Sequence, residues 1–176
     1  MTYHHPLTWL REIAAVAVIS SCGGLGLGLL ADALAPKPAK AWRNEVRTIE
    51  RAIEGIGSRV LWAKGGYARC SNTRLLGYYS PGERKVIMCQ SNLVDNSDVE
   101  IVDTMRHEGW HAVQFICNEA KTVLSDQQLR DGMKPSDKRI LRKFYSANQH
   151  RLEAEARVVA QLPTSNFLKG VKAYCR

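Results

Sequence analysis

Residues 107–111 read His-Glu-Gly-Trp-His. On an α-helix, His107 and His111 stand one turn apart on one face, so their imidazoles can hold a single metal ion. A nitrogen pair of this kind suits Zn²⁺, here expected at one ion per chain. Glu108 follows the first histidine and lies beside such an ion without ligating it. From there its carboxylate can take a proton from an attacking water and pass it to a leaving amine, the task of the glutamate in an H-E-x-x-H helix. Gly109, inside the run, costs helix propensity of ~1 kcal/mol relative to alanine. It therefore needs a reason, such as close packing or the approach of a substrate.

A catalytic zinc takes three protein ligands and keeps one position open. No third histidine completes an H-E-x-x-H-x-x-G-x-x-H run, because Gln114 and Cys117 occupy the glycine and histidine places. The third ligand must come from elsewhere, and "HRLEAEAR" downstream offers His150, Glu153 and Glu155. Two residues apart on a helix, Glu153 and Glu155 point roughly 160° away from one another, so only one of them can be the ligand. A di-iron bundle would need the E-x-x-H motif twice, and Glu108–His111 supplies it once.

These residues need elements to position them. Trp42, Val46, Ile49, Ile53 and Ile56 recur at helical spacing, which predicts an amphipathic helix closed by Gly55 and Gly57. "RVLWAKGGYARC" reads as a short strand broken at Gly65-Gly66. Leu75–Tyr79 and Lys85–Cys89 flank Ser-Pro-Gly-Glu-Arg, which predicts a hairpin. Asp95, Ser97 or Asp98 can cap the motif helix, whose apolar positions are Val99, Val102, Met105, Trp110, Val113 and Ile116. After a polar connector with a short helix, one long helix is expected from about Ser136 to Pro163. The expected fold class is α+β: an N-terminal helix, a small antiparallel sheet with a hairpin, the motif helix, and a second helix carrying the third ligand.

The chain has 176 residues and a net charge of +8. Its basic residues alternate with acids along helical faces, as in "RNEVRTIERAIEG", and this argues against a nucleic-acid partner. Residues 13–30 form 18 uncharged positions, long enough to cross a bilayer. Three readings stay open for this segment. It can be an anchor, a secretory signal cleaved after Ala31-Asp32-Ala33 or Ala39-Lys40-Ala41, or a lipoprotein signal ending at Cys22. The expected layout is an anchor or signal over 1–35, a Pro-rich linker over 36–41 and a domain over 42–176. Lys37, Lys40 and Arg43 favour a cytoplasmic domain if the segment is an anchor. Cys70, Cys89, Cys117 and Cys175 favour two disulfides in an exported one, with three pairings possible. The balance leans to a membrane-associated or exported protein in a periplasm or lumen.

The HExxH helix followed about forty residues later by a helical E-x-x-A resembles the gluzincin zinc metallopeptidases, in particular small single-domain ones. "HEGWH", "EAEAR" and the hairpin "GYYSPGERKVIMC" carry the resemblance, over roughly residues 42–163. It implies a zinc peptidase acting on a peptide or protein, with His107, His111 and Glu153 as ligands and Glu108 as base. It also implies that Lys85, Val86, Ile87, Met88 and Cys89 form an edge strand against which an extended substrate pairs. Such relatives often carry Asp or Asn four residues after the ligand glutamate, supporting a zinc histidine. Arg157 stands there instead, so the resemblance leaves that duty to another acceptor, with Asp103 and Asp126 as candidates. The departure also motivates an alternative, a catalytically silent module that keeps the fold for binding or regulation. Tyr145, His150 and Arg157 are the candidate donors to a transition-state oxyanion.

Overall fold

In a computed structural model, the protein is described over residues 39–64, 67–94 and 96–175. The expected anchor or signal segment lies outside these residues. Among the described residues, no helix is long and apolar enough to cross a membrane. Helix α1 (Ala39–Gly55) begins inside the expected linker, so residues 39–41 are helical. Its apolar stripe puts Val46, Ile49 and Ile53 in the core. Gly57, at φ 87°, turns the chain into β1 (Arg59–Ala63) through the left-handed region that glycine tolerates.

Strands β2 (Gly77–Ser80) and β3 (Lys85–Cys89) form the expected hairpin around Pro81-Gly82. The sheet is mixed, however, and not purely antiparallel: its order is β1-β3-β2, with β1 running parallel to β3. This overturns the edge-strand expectation for Lys85, Val86, Ile87, Met88 and Cys89. That strand is central, paired on both sides and buried on both faces from Val86 to Cys89. The physical reason is visible in "VIMC", a continuous apolar run of the kind a doubly covered strand carries. The edge nearer the motif helix is β2.

Helix α2 (Asp98–Ala112) starts at Ser97, where Ser97 and Glu100 form a reciprocal capping box. Its core side carries Ile101, Val102, Met105 and Trp110, whereas Val99 is exposed. A π-helical turn, Val113–Cys117, extends it. Helix α3 (Asp126–Gly132) is capped by Ser125. The expected single long helix is two, α4 (Pro135–Phe144) and α5 (His150–Ala160). The chain leaves helical geometry at Tyr145, and the Ser146 hydroxyl then donates to Gln149 Oε1 at 2.7 Å. Gln149 Oε1 also accepts from the Ser146 backbone N–H at 3.3 Å, and a side chain that takes a backbone group in this way competes with the helix. Helix α6 (Thr164–Tyr174) follows Pro163 and buries Phe167 and Val171.

The hydrophobic core joins α1, β3, α2, α5 and α6, with α2 packed on α5 and on β2. Gly109 is explained by packing. A Cβ there would lie 2.6 Å from Ile53 Cδ1 and 3.1 Å from Phe167 Cζ, so α2 approaches α1 and α6 more closely than any side chain allows. The four cysteines of the domain pair as Cys70–Cys89 and Cys117–Cys175. The first ties the 3₁₀ turn Ala68–Ser71 to the end of β3, and the second ties the π turn to the end of α6.

Candidate metal centre

The α2–α5 contact brings His107, His111 and Glu153 together. His107 Nε2 lies 3.4 Å from Glu153 Oε2, and His111 Nε2 lies 3.3 Å from Glu153 Oε1. Both separations exceed the usual hydrogen-bond range of about 2.7–3.2 Å. Both match the spacing between ligand atoms around a tetrahedral ion with bonds of about 2.0–2.1 Å, which is about 3.3–3.4 Å. The two imidazole rings stand edge to face, with centroids 4.9 Å apart. Glu153 Oε2 is buried without a hydrogen-bond partner, an exceptional state for a carboxylate oxygen. Among the described residues this is the group whose His, Cys, Asp or Glu atoms converge as a metal set does.

The electrostatics agree with a cation at this point. Burial pushes the Glu153 carboxyl upward, but the adjacent His107 and His111 imidazoles outweigh it and hold it well below the usual carboxylate range. Burial works against a proton on His111, yet Glu153, Glu108 and Gln114 together raise its pKa. Both shifts favour positive charge beside the Glu153 carboxylate.

The centre opens on a cleft of about 660 Å³, lined by Tyr78, Tyr79, Phe115, Tyr145, Leu152 and Arg69 among others. A second hollow of about 620 Å³ shares Leu75, Gly77, His107, Glu108 and Tyr145 with it. Glu108 and Tyr145 therefore stand where the two halves meet. Burial, with the charges of Glu153 and Glu108, raises the Tyr145 pKa, and Arg157 opposes this less strongly. Its hydroxyl thus keeps its proton and can donate.

The other two candidate donors do not share that position. His150 donates from Nε2 to the Tyr145 carbonyl at 2.9 Å and lines a separate hollow with Arg142 and Arg151. It holds the Tyr145 backbone in place and does not reach the centre. Arg157 lies 3.4 Å from Asp137 Oδ1, with its guanidinium 5.8 Å from the Tyr145 ring centroid, so it braces Tyr145 from the second hollow.

The supporting acceptors differ from expectation as well. Asp103 is bound to Arg106, and Asp126 to Arg151. His111 Nδ1 instead meets Gln114 Oε1 at 2.8 Å. Glu155, the other candidate ligand, points away into the core and is fully buried. Nothing in helical spacing assigns these roles to Gln114 and Glu155. The one available signal is composition: a glutamine and a glutamate on the apolar faces of two helices that pack together.

Comparison with known proteins gives a family and no function. Residues 64–176 match the family described as a domain of unknown function, DUF8637, and the chain belongs to it. No curated protein matches the chain. No solved structure matches it. The matched stretch includes His107, Glu108, His111, Tyr145 and Glu153.

Proposed function

We propose that this member of the DUF8637 family is a zinc-dependent peptidase of gluzincin type. The observation that carries the reading is the convergence, at ligand spacing on the wall of an open cleft, of two imidazole nitrogens and a carboxylate with one buried oxygen that has no hydrogen-bond partner. Two histidines and one glutamate form a donor set typical of a catalytic zinc, with three protein ligands and a free position. Bound there, Zn²⁺ supplies Lewis-acid polarisation of a carbonyl and lowers the pKa of water.

The chain's own residues do the rest. Glu108 lines both halves of the cleft, so it can take the proton of an attacking water and return it to the departing amine. Tyr145 donates its O–H to the oxygen that gains charge. The β2 edge can align the substrate. The Cys89 N–H donates to the Leu76 carbonyl, and register alternation then turns the backbone groups of Gly77 and Tyr79 away from β3. An extended peptide pairing with those groups runs past Glu108, a β-augmentation mode moved from the expected strand to its neighbour. The two disulfides suit an oxidising compartment, in keeping with an exported or membrane-associated enzyme.

The test is cleavage of a mixed peptide library by the purified protein. Hydrolysis should be abolished by a chelator and restored by Zn²⁺. It should fall about 10²–10⁴-fold in Glu108→Gln, the range for loss of a general base. Cleavage that persists undiminished in Glu108→Gln excludes this mechanism. A zinc-loaded protein that cleaves nothing leaves the fold as a binding module.

A further inference from the structure

Gln114 and Glu155 form a chain of hydrogen bonds whose direction follows from chemistry. One end of the Gln114 side chain lies 2.8 Å from Glu155 Oε2 and 3.0 Å from the Leu152 carbonyl oxygen. A carbonyl oxygen can only accept, and Glu155 takes donors at both of its oxygens. The Gln114 atom facing this pair is therefore the NH₂ group, with one hydrogen for each. Its carbonyl oxygen is left for His111 Nδ1, at 2.8 Å. An amide oxygen cannot donate, so Nδ1 must carry the hydrogen.

Glu155 is held so firmly that it sets this direction and does not follow it. Its Oε1 accepts from the Val123 and Leu124 backbone N–H groups, each at 2.6 Å, and its Oε2 also accepts from Trp110 Nε1 at 3.0 Å. We infer that Glu155 and Gln114 act together as positioning residues that lock His111 in the tautomer protonated on Nδ1, leaving the Nε2 lone pair for the metal. The inference rests on the metal-centre reading for its purpose, but the tautomer itself is a property of the metal-free chain. The arrangement spans the α2–α5 contact, and the π turn Val113–Cys117 contributes the glutamine.

Glu155→Gln shows why the carboxylate matters. An amide has one acceptor end, so two of the four donors must then face an NH₂ group. The backbone N–H groups of Val123 and Leu124 cannot turn, whereas the Gln114 amide can. Rotating it presents NH₂ to His111 Nδ1 and moves the ring hydrogen to Nε2, but it also sets the Gln114 oxygen against the Leu152 carbonyl, so the Nε2 form gains population without displacing the other entirely.

The experiment has two readouts. Long-range ¹H–¹⁵N correlation spectra of metal-free full-length protein, at alkaline pH where the rings are neutral, report the His111 tautomer. Zinc titration against a competing chelator reports affinity. Wild type should show His111 protonated on Nδ1. Gln114→Met keeps the volume and removes the acceptor. It should give mixed tautomers and weaken zinc binding about 10–100-fold, the usual loss for a support to a metal-ligating histidine. Glu155→Gln should shift the ring toward the Nε2 form. Trp110→Phe, which removes a different donor from the same Oε2, should lower stability and leave the tautomer unchanged. Wild-type His111 protonated on Nε2, or Gln114→Met binding zinc as tightly as wild type, overturns the inference. If wild type binds no zinc, the metal-centre reading fails while the spectra still decide the relay.

Discussion

Helix α5 presents two carboxylates, two residues apart, to opposite sides of its contact with α2. On the cleft side, Glu153 faces two imidazoles at distances too long for good hydrogen bonds and leaves one buried oxygen without a partner. On the core side, Glu155 is fully buried and takes four N–H donors between 2.6 and 3.0 Å. The same residue type on the same helix is thus under-satisfied on one side and saturated on the other. A saturated buried carboxylate is scaffold, because its partners already offset its desolvation. An under-satisfied one beside histidines suits the ligand role proposed for Glu153.

The sharpest way to break this comparison is to remove the saturated carboxylate. Glu155→Ala strands four donors in the core, at about 1–3 kcal/mol for each one left unmet. A net loss of about 3–5 kcal/mol in urea unfolding is expected after relaxation. A variant as stable as wild type would show that the core side is not scaffold.

Moving to the cleft side, Tyr145→Phe removes the proposed oxyanion donor. It should lower kcat about 10²–10³-fold, with KM and zinc content little changed. A change confined to KM would reassign Tyr145 to substrate binding. Gly109→Ala tests the packing that seats α2. Its Cβ would meet Ile53 Cδ1 at 2.6 Å, and overpacking of this kind costs about 1–3 kcal/mol. Calorimetry should show a lower Tm, partly recovered by combining the change with Ile53→Val.

The smallest effect is on pH dependence. Because the His111 pKa is raised, its proton competes with zinc up to a higher pH than that of an ordinary imidazole near 6.5. Zinc affinity should fall as pH drops through that raised value. Titrations at several pH values should place the fall above the ordinary imidazole range.

The sequence revealed local chemistry better than it revealed what lies across the interface. His107, Glu108 and His111 are fixed by spacing within one helix, and Pro81-Gly82 marks the hairpin in the same local way. Glu153 required the resemblance, because two helical glutamates stood as candidates. Three features escaped. Lys85–Cys89 was expected at an edge, although its unbroken apolar run belongs to a strand covered on both faces. The break at Tyr145 was hidden because the residues around "YSANQ" continue a helical pattern, yet that break puts Tyr145 beside Glu108. Gln114 supports His111 only through a π turn and a carboxylate 41 residues downstream. No spacing rule within one helix encodes that arrangement.

The central claim is that Glu153 and not Glu155 completes a zinc site with His107 and His111. Metal analysis of purified wild type beside Glu153→Ala and Glu155→Gln tests it most directly. The account predicts one zinc per wild-type chain and essentially none in folded Glu153→Ala. It predicts weaker but measurable binding in Glu155→Gln, restored by excess zinc. Wild-type protein without zinc, or Glu153→Ala holding a full equivalent, would contradict it.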